Sequence, residues 1–264
     1  MNVFKLYRGA WIRKSHPHLS KVVTPDYALG LLSQGGYFVR NTYNWDKKES
    51  AFFWYVIKDE FHGLNEIPTR DRNKVRRSLR SYSYRKVSRQ EMSTIGLDLF
   101  NKSRKRFKEK SLLLSQEEWD MCISSDNLDL WMGFNSETNE PVSFAINTLY
   151  NDYCDYNTLG FDPDAPHNTY PMYGLLYEMN RYYLEELHLK YVLDGARSIT
   201  EHSNIQPFLE EKFKFRKAFC DLQLFYRPWM GIVVKILFPF RRWIFNKKMS
   251  SVLRQEAWAR GLEK

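Results

Sequence analysis

The order of hydrophobic and polar positions between residues 156 and 226 predicts strands that alternate with helices. Over residues 171–188 apolar side chains recur at helical spacing, and Pro171 suits the first turn of a helix. This stripe consists of Met172, Leu175, Leu176, Met179, Tyr183 and Leu187. A short apolar run at residues 191–193 follows the helix. In a βαβ unit this order predicts two parallel strands with helices laid on their sheet.

A second helix and a final strand complete this segment. Ser203 or Asn204 can cap the helix, and Pro207 is tolerated in its first turn. Alternation over residues 220–226 predicts a half-buried strand. The loop over residues 197–204 lies between a parallel strand and a helix, so it opens at the strand's carboxyl end, where such sheets bind ligands.

The pattern before residue 156 predicts a strand near Arg85, two helices and three antiparallel strands. Ser115 is a credible helix cap because Glu118 stands three residues further on. The helix before it is predicted over residues 90–108, and the strands over residues 128–134, 142–150 and 153–161. Residues 3–59 predict a short helix opening at Thr24 and strands at Tyr37 and over residues 51–58, which is too little for an independent domain.

Counted together, the elements from Tyr84 to Tyr226 run β-α-α-β-β-β-α-β-α-β, which resembles the GNAT acyl-CoA N-acyltransferase fold. The family's motif in its second half is matched by Asn204, Glu210, Glu211, Lys212, Lys214 and Phe215. The resemblance implies a mixed α+β (α/β) fold with a mixed central sheet and helices on both faces. We therefore predict a GNAT-like domain over residues 84–228, an N-terminal extension or partial second unit over 1–83, and a basic amphipathic helical tail over 229–264.

The resemblance also implies roles for individual residues. Glu210 stands where the family has a tyrosine that protonates the departing CoA thiolate, and Lys214 replaces a usual glycine. In the family the residue that matches Asn204 also reaches the CoA arm. Tyr170, Tyr173 and Gly174 are candidate cofactor-binding residues because a helix start favours phosphate, with core packing as the alternative for the tyrosines. Only T-Y-P-M-Y-G stands where the family has a glycine-rich pyrophosphate turn. These departures leave the acyl carrier open between acyl-CoA, a co-substrate that is not tightly bound, and aminoacyl-tRNA.

A dense basic segment precedes the GNAT-like region. The segment from Arg70 to Arg89 contains nine Lys and Arg residues and a single acidic residue, Asp71. A helix over residues 70–82 would place Val75 and Leu79 on one side and arginines around the rest. It is either a solvated basic helix or a face that contacts phosphates. The segment also resembles the basic helix that joins the two units of Fem-type aminoacyl transferases, which favours a tRNA carrier.

Acyl transfer to an amine needs a base with a pKa near the working pH, because the attacking amine must be neutral. Asp155 is a candidate because it lies on a central strand where the resembled family often keeps its carboxylate base. His202 is a second candidate in the loop over residues 197–204, with a capping or surface role as the alternative. Arg197 and Glu201 in the same loop are candidate substrate-binding residues, and Arg197 could instead pair with a neighbouring acid.

Charge is distributed unevenly along the 264 residues, whose net charge is +9. Residues 126–229 carry eight Lys and Arg against sixteen Asp and Glu, a balance of −8, whereas residues 230–264 carry eight against two, a balance of +6. Acidic surroundings suit an amine substrate, and basic flanks suit phosphates, nucleic acid or an anionic membrane. A hydrophobic content of 43% excludes a disordered chain.

Three separated cysteines suggest neither a disulfide framework nor a metal site. With no export signal apparent, we expect a cytoplasmic protein with reduced thiols. In the tail, residues 229–240 are apolar apart from Lys235, Gly231 and Pro239, and are too few for the ~20 that span a bilayer. The segment either lies at the inner membrane face or docks on the protein core.

Together these features favour an N-acyltransferase that moves an acyl group from an activated carrier, acyl-CoA or aminoacyl-tRNA, to an amine, in cell-envelope or polysaccharide biosynthesis. The alternative is a catalytically inactive GNAT-like module that binds an anionic membrane or nucleic acid. Nucleic-acid binding would weaken steeply with salt, because each neutralised phosphate releases counterions.

Overall fold

A computed structural model describes residues 3–14, 16–105, 113–199 and 205–262. The described strands are β1 Phe4–Tyr7, β2 Ala10–Arg13, β3 Phe38–Tyr43, β4 Phe53–Lys58, β5 Tyr82–Lys86, β6 Leu128–Asn135, β7 Pro141–Leu149, β8 Tyr153–Phe161, β9 Tyr191–Ala196 and β10 Arg216–Tyr226. The described helices are α1 Pro25–Ser33, α2 Thr69–Ser81, α3 Arg89–Lys105, α4 Gln116–Cys122, α5 Pro171–Asn180, α6 Ile205–Phe213, α7 Pro228–Leu237 and α8 Lys247–Ala259. Short 3-10 turns occupy Pro17–Leu19, Gly63–Asn65 and Phe238–Trp243.

The chain forms two compact units, each built from separate stretches of sequence. Unit 1 comprises Met1–Val56, Ala196–Asn204 and Lys217–Lys264, and unit 2 comprises Ile57–Gly195 and Ile205–Arg216. These units do not test the domain boundaries that we predicted at residues 83 and 228, which stay a prediction.

In unit 2 the strands lie in the order β9-β8-β7-β6-β5. The pairs β5-β6, β6-β7 and β7-β8 are antiparallel, and β8-β9 is parallel. From β5 onward the elements follow one another as β5-α3-α4-β6-β7-β8-α5-β9-α6-β10, which is the order predicted from the sequence. The predicted GNAT-like α+β fold with a mixed sheet is therefore confirmed.

Helices cover both faces of this sheet. Alternate side chains of β6 point to opposite faces: Met132 packs in a buried cluster with Trp119 of α4 and Phe144. Its neighbour Trp131 instead donates its indole N–H to the hydroxyl of Tyr183, at 2.9 Å. The predicted cap of α4 is present, because Ser115 and Glu118 accept hydrogen bonds from each other's backbone N–H.

The helix predicted over residues 171–188 has two parts. The α-helix ends at Asn180, and Arg181–Glu186 continue it as a π-helical segment. The wider turn still brings Tyr183 to the sheet, where its side chain is fully buried. A π-helical turn inside a helix is rare and occurs most often at functional sites. Its place here, directly before β9, cannot be derived from the apolar stripe.

Unit 1 has its own strands in the order β1-β2-β3-β10-β4. The pairs β1-β2 and β3-β10 are antiparallel, and β2-β3 is parallel. The sequence pattern predicted neither β1 nor β2. Helix α1 begins after the predicted Thr24 cap, whose hydroxyl accepts from the N–H of Tyr27. Apolar side chains of α1, β1, β2 and β3 form one buried cluster, which gives the N-terminal stretch a core within this unit.

The C-terminal tail is half packed within unit 1. Met230, Val234 and Phe238 form a buried cluster with Leu253 and Ala257 of α8. Trp258 belongs to a second cluster with Phe53, Cys220 and Leu222. The buried side of the tail is thus a docked core element, which was one of its two predicted interpretations. Among the described helices none is both long and apolar enough to cross a bilayer.

Replacing Trp119 by alanine should destabilise the protein strongly. Its side chain is fully buried, contacts Phe100 and Phe144, and donates its N–H to the Met92 carbonyl at 3.1 Å. We expect the free energy of unfolding to fall by about 3–5 kcal/mol, measured by urea denaturation. Met121→Ala on the same helix, at a side chain that is 68% exposed, should stay within about 0.5 kcal/mol. Equal losses in the two variants would contradict this packing.

Candidate active site

The two parallel strands of unit 2 pair over a short distance and then separate. Strand β8 pairs with β9 at three positions, the last of them Asp155 opposite Leu193. Strand β8 continues to Phe161 and β9 to Ala196. The pairing stops toward the carboxyl ends of both strands. Open α/β sheets bind ligands on that side. The described pairing therefore ends at Asp155 and Leu193, while both strands continue beyond it.

Local backbone irregularities accompany this separation. On the β7 side the register shifts so that Ile146 faces Thr158 while Asn147 faces Tyr156, which leaves Asn157 as an extra residue in β8. Such a bulge bends its strand and increases the local twist. On the other strand Gly195 adopts φ +78°, a left-handed conformation that favours glycine. Both deviations occur within two residues of the last strand pair.

Two carboxylates lie at this point. Asp155 is the last β8 residue paired with β9, and Asp194 follows directly after its partner Leu193. Both side chains are partly exposed. Burial, together with the negative charge of Asp155, raises the pKa of Asp194 from 3.8 to about 8, against the opposing effect of a hydrogen bond from Gln206. Asp194 can thus gain or lose a proton near neutral pH, as a general acid or base must.

A buried hydroxyl lies beside the carboxylates. Tyr156, the residue after Asp155, is buried and donates its hydroxyl to the side-chain oxygen of Asn180 at 3.0 Å. Burial raises the pKa of Tyr156 well above its ordinary value, with the nearby Cys154 and Asp194 as further causes. The tyrosine therefore stays a neutral donor. The buried side-chain nitrogen of Asn180 has no hydrogen-bond partner among the described residues.

A polar network fills the sheet below this site. The buried Tyr183 hydroxyl donates to Asp129 Oδ2 at 2.7 Å and accepts from Trp131 and Asn147 at 2.9 and 3.1 Å. Asp129 Oδ1 lies 2.6 Å from Lys86 Nζ. Because buried charges are tolerated when paired and hydrogen-bonded, this network fixes the helix after Asn180 against the sheet. The ring of Tyr183 lies 5.9 Å from that of Tyr156, so the network also supports the hydroxyl of the site.

The start of α5, predicted to bind the pyrophosphate of a cofactor, contacts α2. The N–H of Gly174 donates to Ser78 Oγ at 3.2 Å, and the Tyr173 hydroxyl donates to Asp71 Oδ1 at 3.2 Å. The Lys74 ammonium lies over the ring of Tyr170, 5.7 Å from its centre. Cofactor binding by Tyr170, Tyr173 and Gly174 stays a prediction, and a phosphate at the Gly174 amide requires Ser78 to move.

Asp71 anchors the basic helix. Its side chain is fully buried and lies 2.6 Å from Lys74 Nζ and 3.6 Å from Lys212 Nζ. Burial opposes ionisation, but the hydrogen bond and charge of Lys74 and the charge of Lys212 hold the pKa of Asp71 below its ordinary value. Arg70 also pairs with Glu211 of α6. The single acid of the basic segment thus joins α2 to α5 and α6.

The other predicted site residues are only partly brought together. Asp155 is the last β8 residue paired with β9, and Glu210 lies one helical turn after Gln206, which donates to the Asp194 carbonyl at 3.0 Å. Arg197 lies in unit 1, with its guanidinium 4.1 Å from the ring centres of both Trp54 and Trp258 and a hydrogen bond to the Phe52 carbonyl. Glu201, His202 and Asn204 lie outside the described residues, so their roles stay predictions.

Asp194, Tyr156 and Asn180 were not among the sequence-based candidates. A signal for Asp194 exists in Y-V-L-D-G, because a carboxylate directly after three apolar residues of a short strand sits where burial can shift its pKa. Nothing in the sequence marks Asn180, which occupies an ordinary position of a helical stripe. Among the described residues, no three His, Cys, Asp or Glu side chains group as a metal site.

Known proteins resemble this chain in fold. No family model matches it, and neither does the sequence of any curated protein. The C-terminal domain of a putative lysylphosphatidylglycerol synthetase from Agrobacterium fabrum superposes with a TM-score of 0.54 at 11% identity, covering 89% of this chain and 84% of that domain. This similarity shows a shared fold.

Two further structures superpose less closely. FemX does so with a TM-score of 0.49 at 13% identity, covering 63% of this chain and 59% of FemX. L-PGS from Bacillus licheniformis gives 0.49 at 14% identity, covering 83% of this chain and 67% of that protein. This chain therefore spans less than two thirds of the length of FemX.

The stability of the protein should fall as pH rises from about 4 to 8, because the unfolded chain ionises Asp194 near 3.8 while the folded protein holds its proton to about 8. Since the side chain keeps partial contact with water, we expect this residue to contribute about 2–3 kcal/mol of the fall. Asp194→Asn should remove that part, measured by denaturation at several pH values. Asp164→Asn, at an exposed loop position, should leave the pH profile unchanged. A profile that Asp194→Asn does not flatten would refute the raised pKa.

Proposed function

We propose that the protein is an N-acyltransferase that moves an acyl group from an activated carrier to an amine. The observation that carries the proposal is the pair of carboxylates at the point where β8 and β9 separate, of which Asp194 has its pKa raised to about 8. An amine is a protonated cation near neutral pH. A carboxylate attracts that cation, and one with a pKa near 8, such as Asp194, can take its proton.

The reaction would proceed by direct attack. Ionised Asp194 takes a proton from the bound ammonium, and the neutral amine adds to the carbonyl carbon of the acyl ester or thioester. The carbonyl oxygen becomes an oxyanion, which re-forms the carbonyl as the bond to the carrier breaks. The carrier leaves as a ribose alkoxide or a thiolate and takes up the proton that the attacking nitrogen loses on becoming an amide. Backbone N–H groups of β8 beyond Asp155, where the described pairing with β9 ends, are the candidate oxyanion donors.

Aminoacyl-tRNA is the carrier that we favour over acyl-CoA. The Gly174 amide at the start of α5 donates to Ser78, so a pyrophosphate there would compete with an existing hydrogen bond. Arg76, Arg77 and Arg80 of α2 are exposed in the same unit and can contact phosphates. The fold shared with a domain of a putative lysylphosphatidylglycerol synthetase makes a lysyl group the first acyl group to test. An envelope component with a free amine is the proposed acceptor.

The activity should depend on Asp194. With radiolabelled aminoacyl-tRNA or acyl-CoA and a panel of primary amines, kcat/KM should rise with pH through about 8, because Asp194 must lose its proton to act as base. Asp194→Asn should lower kcat/KM by about 100-fold or more and abolish this limb of the profile. Asp164→Asn, an exposed control, should leave both unchanged.

The variants also separate the remaining candidates. An unaffected rate in Asp194→Asn together with a large loss in Asp155→Asn would move the base to Asp155. If His202→Ala alone lost activity, the base would lie in the loop over residues 197–204. Turnover of acyl-CoA but not of aminoacyl-tRNA would reassign the carrier. If no donor reacts and none raises the melting temperature, the catalytically inactive alternative gains support.

A further inference from the structure

The outer face of α7 and of the 3-10 segment that follows it exposes a continuous apolar stripe. It consists of Trp229, Ile232, Ile236, Phe240, Trp243 and Phe245. The spacing of its first five members, by three or four residues, places them on one side of a helical segment. Met230, Val234 and Phe238 on the opposite side are buried against α8. The segment is thus apolar on both sides. One side is buried against α8, whereas the stripe stays exposed and has a ring contact of Trp229 with Tyr37, at 6.1 Å.

Exposure at the centre of the stripe is high. Ile232 and Ile236 are each 61% exposed, and Phe245 at its end is 92% exposed. The rings of Phe240 and Trp243 lie 6.1 Å apart, so the aromatic end of the stripe is itself contiguous. Single exposed apolar residues are ordinary on a protein surface, but contiguous ones mark an interaction site or a membrane contact.

The charges around the stripe are all positive. Lys235 and Arg242 are exposed and stand seven residues apart, which places both on the same flank of the segment. Lys247 and Lys248 are exposed at the start of α8. No Asp or Glu occurs from residue 222 to residue 255. A partner that fits this surface therefore has an apolar layer beside a layer of negative charge.

We propose that this face of α7 binds the surface of an anionic lipid bilayer. The helix would lie parallel to the membrane with Ile232 and Ile236 among the acyl chains. Trp229 and Trp243 at the two ends suit the headgroup region. There the ring can contact apolar groups while the indole N–H donates to polar ones. Lys235, Arg242, Lys247 and Lys248 would then contact lipid phosphates.

Other occupants fit the surface less well. A second copy of this chain, seated face to face on the stripe, would bring two sets of the same cations together. Nucleic acid would meet the cations, but would leave the isoleucines at the centre without apolar contact. The proposal is independent of the proposed catalytic function, because every residue it uses lies in unit 1, whereas the two carboxylates lie in unit 2.

Vesicle flotation of the full-length protein tests the proposal. The wild type should bind vesicles of phosphatidylcholine with phosphatidylglycerol more tightly than vesicles of phosphatidylcholine alone, and high salt should weaken that binding. Ile232→Glu/Ile236→Glu should lower the affinity at least about tenfold. Arg242→Glu/Lys248→Glu should lower the affinity at least about fivefold for each replaced charge. This loss should occur with the anionic vesicles only.

A matched control uses another exposed helix position of unit 1. Leu29 on α1 is 52% exposed, and Leu29→Glu should not change vesicle binding. Unchanged circular dichroism and melting temperature would show that the stripe variants are folded. The proposal is overturned if the wild type does not float with anionic vesicles, or if Leu29→Glu weakens flotation as much as the stripe variant. A dimeric interface would also overturn the proposal. In that case Ile232→Glu/Ile236→Glu converts a dimeric wild type to a monomer, and neither protein binds vesicles.

Discussion

The site depends on one constraint, the limited pairing of the parallel strands β8 and β9. Backbone groups within a sheet need hydrogen-bond partners, so two neighbouring strands separate only where the backbone changes direction. The bulge at Asn157 and the left-handed Gly195 supply that change on either strand, next to the last pair at Asp155 and Leu193. Asp155 and Asp194 lie at this point, close enough for the negative charge of Asp155 to raise the pKa of Asp194.

A buried polar network lies in the sheet beside this point. Tyr183 cannot be buried without partners for its hydroxyl, and it has Asp129, Trp131 and Asn147. Asp129 is in turn paired with Lys86, so a charge that would be unfavourable in the interior is neutralised. The hydrogen bonds of this network restrict the movement of its members. Tyr183 in turn contacts Tyr156, whose pKa is raised in part by the charge of Asp194.

Most of the fold could be predicted from the sequence because its elements are long and periodic. The α4 cap, the three antiparallel strands and the parallel β9 all follow from local patterns. Strands β1 and β2 have four residues each, too few to show a period, and were missed. Of the two carboxylates of the candidate site, Asp155 was a candidate because it lies on a central strand, whereas Asp194 acquires its raised pKa from burial and a neighbouring charge. Those depend on tertiary contacts that no sequence pattern contains.

The basic helix α2 shows why charge density alone is a weak guide to a partner. Lys74 pairs with the buried Asp71, and Arg70 with Glu211. Arg72 donates to the carbonyls of Ile67 and Asn65 at the start of the helix. Part of the positive charge therefore holds α2 in place within unit 2, where removing Lys74 would leave the buried Asp71 with weaker compensation from Lys212, at 3.6 Å. A phosphate-contacting face can use only the outward arginines, so the functional charge of the segment is smaller than its composition implies.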